Sequence, residues 1–232
     1  MTADGRLEHE TAAAEPAAPD CCAPEADAGP WAQPVVSRKC EQLLDGARAV
    51  ILARGFEGSS VDDIAREAGI SKATMYRYYP DKSALFAAVM HRDCSRQSTA
   101  LEGIEVEGRT LEAILTELCA VYVEFVSTPC AQGIFRSAVS ESKRFPEIGQ
   151  AFYASGPERG RAWLVPLLVA AAERGEIEVE DADLAAHRFF ALCQAEVYFK
   201  RLFGIVEGYD AAEIAAHSAD TAKAFLRMYR PA

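Results

Sequence analysis

The chain has 232 residues, half of them hydrophobic, and a formal net charge of −11, which is enough apolar material for one large or two small domains. No apolar run reaches the roughly 20 residues needed to cross a bilayer, and the opening residues lack the basic-then-apolar order of a secretion signal, so a cytoplasmic protein with no membrane role is expected. The seven cysteines are odd in number and mostly scattered singly, a pattern unlike a disulfide framework or a CxxC metal site that predicts buried free thiols.

The charge is uneven. Residues 1 to 37 carry one basic side chain against seven acidic, residues 38 to 97 carry ten against eight, and the remainder carries thirteen against twenty. Only the middle segment leans basic, so a polyanion should be met there. Residues 1 to 36, rich in Ala, Pro, Glu and Asp with almost no large apolar side chains, cannot offset the entropy of their own ordering and are expected to be a disordered acidic tail.

From Ser37 onward the pattern is helical. Ser37 can cap, and Leu43, Leu44, Ala47, Val50 and Ile51 recur at helical spacing until Gly55. Ser60 precedes Val61, Asp62 and Asp63, a hydroxyl cap followed by acidic residues that favour a helix N-terminus, and this second helix ends at Gly69. A third short helix runs from about Ser71 to Tyr78 and is stopped by Pro80. Two short helices crossing steeply need a small contact residue, a turn residue tolerant of positive φ, and apolar positions that lock both to a third helix. Ala65, Gly69, and the set Ile64, Ala68, Ile70 and Met75 supply these, which spells a helix-turn-helix.

In that geometry the third helix enters the major groove of double-stranded DNA with its N-terminal half against base edges. Lys72 and Thr74 then face DNA near the helix start, and Tyr76, Arg77 and Tyr78 continue the exposed side with phenolic and guanidinium donors for phosphates and bases. Tyr79 should turn inward, because a 3.6-residue period cannot point all three tyrosines outward. Asp81 caps the next helix, and the Lys82 amide and ammonium together form an expected phosphate site at its N-terminus.

Beyond Pro80 the expected helices are 81 to 98, 110 to 127, 129 to 141, 146 to 154, 157 to 174, 183 to 203 and 211 to 228, with prolines and glycines at most joins. The fold class is therefore all-α, divided into a helix-turn-helix domain over 37–84 and a helical domain over 85–232. Leu118, Cys119, Tyr122, Phe125, Phe135, Phe152 and Trp163 form an aromatic-rich set that can line an apolar pocket or simply fill the core. Gln194, Glu196 and His187 are candidate polar handles, with His187 read first as a surface or interface residue. No phosphate-cradling loop, nucleophile elbow or HExxH site occurs, and the histidines lack partners, so no catalytic residue, cofactor or metal is expected. A redox or metal response through Cys119 and Cys130 is the alternative reading, although the gap between them fits no standard ligand spacing.

The run GFEGSSVDDIAREAGISKATMYRYYPDKSALFAAV resembles the DNA-binding domain of the tetracycline-repressor (TetR) family of bacterial regulators: the helix-turn-helix, the aromatic recognition helix, the following proline and Lys82, Leu85 and Phe86 occur in the family's order. The C-terminal part, through Arg144-Phe-Pro-Glu147, Phe152-Tyr153 and the long Ala- and Leu-rich helix that follows, is similar to the AefR-like subgroup. The resemblance implies a repressor released from an operator by a small molecule. It also implies a homodimer joined through the segments 157–174 and 183–203, whose paired recognition helices read a pseudo-palindrome. It carries DNA contacts onto Ser71, Lys72, Thr74, Tyr76, Arg77, Tyr78 and Lys82. Asp62 departs from the family pattern, where a basic or neutral residue meets the DNA backbone.

Overall fold

The computed structural model describes residues 37–231, without the side chains of 96–99; the expected acidic tail over 1–36 lies outside the described residues. Eleven helices follow one another among these residues, and the first three arise where the caps and apolar periods put them. Helix α1 (Arg38–Arg54) starts at Ser37, whose hydroxyl accepts from the Cys40 amide at 3.3 Å, and ends at Gly55 with φ 72°. Helix α2 (Val61–Glu67) is capped by Ser60 and α3 (Lys72–Tyr78) by Ser71. Gly69 sits between them with φ 64°, a conformation that costs glycine little and a side-chain-bearing residue more.

The lock on α3 is as spacing dictates: Ile64 and Met75 are fully buried, Ala65 nearly so, and Leu43, Leu44, Ala47, Val50 and Ile51 of α1 form the third wall. A further contact makes the packing tight. A Cβ on Gly46 of α1 would lie 2.6 to 2.7 Å from the backbone and side chain of Ala68. The two helices can approach this closely only because Gly46 has no side chain.

Helix α4 (Lys82–Glu102) belongs to two cores. Its first turns place Leu85, Phe86, Val89 and Met90 among the residues of α1 to α3, while Leu101 joins a second cluster. That second cluster is built on α5 (Leu111–Val126), α8 (Pro157–Glu173), α9 (Ala182–Gln194) and α11 (Ala211–Met228), with Leu115, Leu118, Leu164, Phe189 and Phe225 completely buried. Burying side chains of this size contributes roughly 1.5 to 3 kcal/mol each.

Helices α6 (Pro129–Glu141) and α7 (Pro146–Ser155) close the gap between the cores, sending Ile134, Ala138 and Ile148 into the first of them. The Arg144-Phe-Pro-Glu segment explains part of this join: the Phe145 ring meets Phe56 edge-on at 5.5 Å, and Arg144 pairs with Glu57 at 2.5 Å. The single helix expected over 183–203 is in fact broken. Helix α9 stops at Gln194 and α10 (Val197–Leu202) begins after Glu196, which has φ 64° and ψ −42°. The Val197 amide donates to the Ala195 carbonyl at 2.8 Å, so the break is a γ-turn of the positive-φ kind, a rare and strained form. Nothing in the composition of this stretch announces it, since the apolar period runs straight through.

Candidate functional site

Two regions of the structure have the chemistry of a site. The first is the outer face of α3. Met75 is fully buried, Tyr79 is 7% exposed, and Tyr76 is 52% exposed. Ser71, Lys72 and Arg77 are exposed as well. The Ser71 hydroxyl accepts from the Thr74 amide at 3.1 Å and shares a hydrogen bond with the Thr74 hydroxyl at 2.8 Å, which sets the first turn. A helix so short, held by its caps and one buried methionine, offers nearly its whole outer surface to a partner.

Three members of the expected contact set are placed differently from the simple pattern. Lys82 turns its ammonium inward, donating to the Phe56 carbonyl at 2.7 Å and the Ser59 carbonyl at 3.0 Å while lying 4.1 Å from the Phe56 ring centre. Burial pushes its pKa down. The ammonium expected to meet a phosphate is therefore a tie between α4 and the turn after α1, where it adds a charged donor to the Phe56 carbonyl, which also accepts from the Ser59 amide at 3.2 Å, and to the Ser59 carbonyl. Tyr78 is half-buried, with its hydroxyl 3.2 Å from the Ser37 hydroxyl and its ring under the Arg77 guanidinium at 5.3 Å. Lys72 pairs with Asp62 at 2.7 Å, and that hydrogen bond raises its pKa; the departure at Asp62 thus offsets the charge of a candidate DNA-facing lysine. Asp81 caps α4 as expected, accepting from the Ala84 amide at 2.8 Å.

The second region is a cavity of about 610 Å³ between the two cores, walled by residues of every helix from α4 to α10 and by Arg48 of α1. Of the expected pocket residues, Tyr122, Phe125, Phe135 and Phe152 line it. Leu118 and Cys119 do not: both are completely buried in the second core, where Cys119 faces Cys193, Ser218 and Thr221. Trp163 also packs against that core rather than the cavity. Phe135 is the hub of the aromatic wall, meeting Phe152 at 5.8 Å and Tyr198 at 5.5 Å, both edge-on. Tyr122 stacks at a tilt on Phe190 at 5.1 Å, and its hydroxyl accepts from Gln194 at 2.5 Å. Burial raises the phenol of Tyr122 and pushes that of Tyr198 up to about 12.

Of the candidate polar handles, Gln194 and His187 line the cavity, but the charged part of the wall was missed by sequence reasoning. Arg48 Nε donates to Asp93 Oδ2 at 2.7 Å, and the Cys130 thiol donates to the same oxygen at 3.0 Å. A signal for Asp93 existed: it lies three and four residues after Met90 and Val89, on the buried stripe of α4, where an unpaired carboxylate would be costly. Arg159 donates to the Ser95 hydroxyl at 2.9 Å, and Arg161 lies 3.4 Å from His187 Nδ1 and 3.5 Å from Asp183. His187 is exposed yet lines the cavity. Glu196 is exposed and lies outside the lining.

The comparisons with known proteins meet this geometry at both ends. Residues 43–89 match the family model for bacterial regulatory proteins of the tetR family, and residues 113–231 match that for the C-terminal domain of the AefR-like transcriptional repressor. The chain belongs to the TetR family of transcriptional regulators. It is 35% identical over 122 residues to the HTH-type transcriptional regulator Rv0472c of Mycobacterium tuberculosis, covering 49% of each chain. It is 29% identical over 148 residues to YezE of Bacillus subtilis, covering 62% of this chain and 75% of that one. The match thus spans about half the length of the Mycobacterium relative. Among solved structures, a TetR-family transcriptional regulator of Mesorhizobium loti superposes with a TM-score of 0.74 at 26% identity, and the flavonoid-responsive regulator FrrA with 0.73 at 29%. Each covers 84% of this chain and 98% of its own.

Within the TetR family the helix-turn-helix, residues 43–89 of this chain, is the part associated with DNA. The thiols of this chain are arranged differently from a paired sensor: Cys119 lies in the second core beside Cys193, whereas Cys130 lies on the cavity wall beside Asp93. Burial and the neighbouring carboxylate push the Cys130 thiol up to about 11, which keeps it protonated and slow to oxidise. Among the described residues no three His, Cys, Asp or Glu side chains converge to hold a metal ion, and no single helix is long and apolar enough to cross a membrane.

Proposed function

We propose that this TetR-family regulator is a cytoplasmic repressor that binds a pseudo-palindromic operator as a homodimer and is released by a lipophilic or aromatic small molecule in the cavity. Residues 37–84 are the DNA-binding unit and residues 85–232 the ligand-binding and dimerisation unit. The observation that carries this reading is the outer face of α3, where Ser71, Lys72, Tyr76 and Arg77 stand exposed on a helix whose inner side is held by the fully buried Met75. Thr74 and Tyr78 complete the contact set on α3, and Lys82 contributes through its backbone amide and by fixing the start of α4.

The dimer reading is supported by Val169 of α8 and Leu184 of α9, which are 43% and 44% exposed on the two helices expected to pair across a two-fold axis. The ligand reading is supported by a cavity of about 610 Å³ with an aromatic wall, within the range of small-molecule sites, and by the resemblance to a regulator described as flavonoid-responsive.

The test is in-vitro selection of genomic fragments by the purified protein beside a Tyr76→Ala, Arg77→Ala variant. Enrichment of a pseudo-palindrome by the wild type alone is expected. Equal enrichment by both proteins would overturn the assignment of α3 as the reading helix.

A further inference from the structure

Asp93 is the most unusual polar group facing the cavity. Its side chain is only 7% exposed, and both of its donors, Arg48 Nε and the Cys130 thiol, fall on Oδ2. Oδ1 is buried and has no hydrogen-bond partner among the described residues. A carboxylate offers about four acceptor sites, and one left half-satisfied away from water carries a desolvation cost that a new donor relieves. The thiol is itself a weak donor, so a stronger one at Oδ2 would also displace it with gain.

The surroundings decide which donor fits. Arg48, Arg159 and Arg161 all line the same cavity, so an ammonium group would be set among guanidinium groups. A carboxylate would be repelled at Asp93 and would have to turn to Arg159 and Arg161 instead, the second of which already faces Asp183 at 3.5 Å. A neutral hydroxyl avoids both repulsions and still donates to the carboxylate. The rest of the wall asks for a flat apolar body, because Phe135, Phe152, Phe190 and Tyr198 present ring edges and faces.

We propose that the cavity takes a neutral hydroxylated aromatic ligand whose hydroxyl donates to Asp93, and that the Arg48–Asp93 pair reports its presence to the DNA-binding helices. This rests on reading the cavity as the effector site. Arg48 belongs to α1 and lies two residues from Gly46, whose close approach to Ala68 sets the position of α2. A shift of Arg48 with Asp93 is therefore felt directly at the helix pair that presents α3, without passing through the second core.

The experiment is titration calorimetry on the full chain with naringenin and para-phenylphenol, their O-methyl ethers, and laurate. At least one phenol should bind, with its ether weaker by about tenfold or more, the worth of one hydrogen bond to a charged acceptor. Asp93→Asn should narrow that gap to roughly threefold or less, since a neutral amide acceptor forms the weaker bond. Because Asp93→Asn leaves Arg48 without its counter-charge, the paired Arg48→Gln, Asp93→Asn variant is measured beside it and should show the same narrowing. An ether that binds as well as its phenol, laurate as the tightest probe, or no binding by any of them would each overturn the ligand assignment. At saturating phenol, DNA affinity should change by about fivefold or more in the wild type and by less than about twofold in Arg48→Lys; equal responses would overturn the relay. Selection of DNA without any ligand is read separately, so failure here and failure of the regulator reading give different results.

Discussion

The outer face of α3 and the cavity differ in how many helices each requires. The recognition face is a product of one seven-residue helix, two serine caps and a glycine turn, all within twenty residues. The cavity draws on every helix from α4 to α10 and on Arg48 from α1. On the proposed function, DNA contact is a local property of the chain, whereas ligand contact is a property of the packed molecule. A change in α3 should leave the cavity intact, and a change in the cavity should reach α3 only through the elements they share.

The largest test of that separation is Met75→Ala. Removing the one fully buried side chain of α3 should destabilise the first core by about 3 kcal/mol, abolish DNA binding, and leave phenol or laurate titrations of the cavity unchanged; loss of cavity binding as well would show that the two regions fold as one. Next comes Lys82→Ala. If the ammonium is a structural tie, about 2 kcal/mol of stability should be lost with the two carbonyl contacts, measured by chemical denaturation, while the salt slope of DNA binding stays the same. A slope shallower by about one would restore the lysine to the phosphate-binding set.

On the cavity side, Glu196→Gly should stabilise the protein by about 1 kcal/mol by relieving a positive-φ strain, raising the thermal midpoint by roughly 2 to 4 °C with DNA affinity unchanged. A lower midpoint would mean that the glutamate side chain holds the turn. The smallest effect is expected from Asp62→Asn. It frees Lys72, so affinity for non-specific DNA should rise roughly threefold at low salt and the salt slope should steepen by about one. An unchanged slope would place Lys72 away from the phosphates.

What was legible in the sequence follows the same division. The caps at Ser37 and Ser60, the turn at Gly69 and the inward Tyr79 are all set by residues within a few positions of one another, so period and capping rules reach them. The inward Lys82 was not legible, because its carbonyl partners lie 23 and 26 residues away, and neither was the Ser37 contact of Tyr78, 41 residues away. The role of Gly46 was not legible either, because the Ala68 it packs against lies 22 residues away. In the cavity, aromatic character reaches Tyr122, Phe125, Phe135 and Phe152, which line it, but cannot separate them from Leu118, Cys119 and Trp163, because helical spacing gives the face of a helix and says nothing of which stretch of that face meets a void. Arg48 gave no signal at all, since a lone arginine on a helix is usually a solvated one.

The γ-turn at Glu196 has a bearing on how such a protein changes its diet. Had α9 continued through Gln194 without interruption, Tyr198 and Phe199 would have followed the helical screw of the preceding residues; the turn re-aims both toward the cavity. One residue, itself 82% exposed at its side chain and paired with Lys200 at 3.9 Å, therefore sets the angle of two of the aromatic rings in the cavity wall. Substitutions at that exposed position can reshape the cavity without replacing any lining residue or any residue of α3, which, on the proposed function, gives descendants of this chain a short mutational path to new effectors under an unchanged operator.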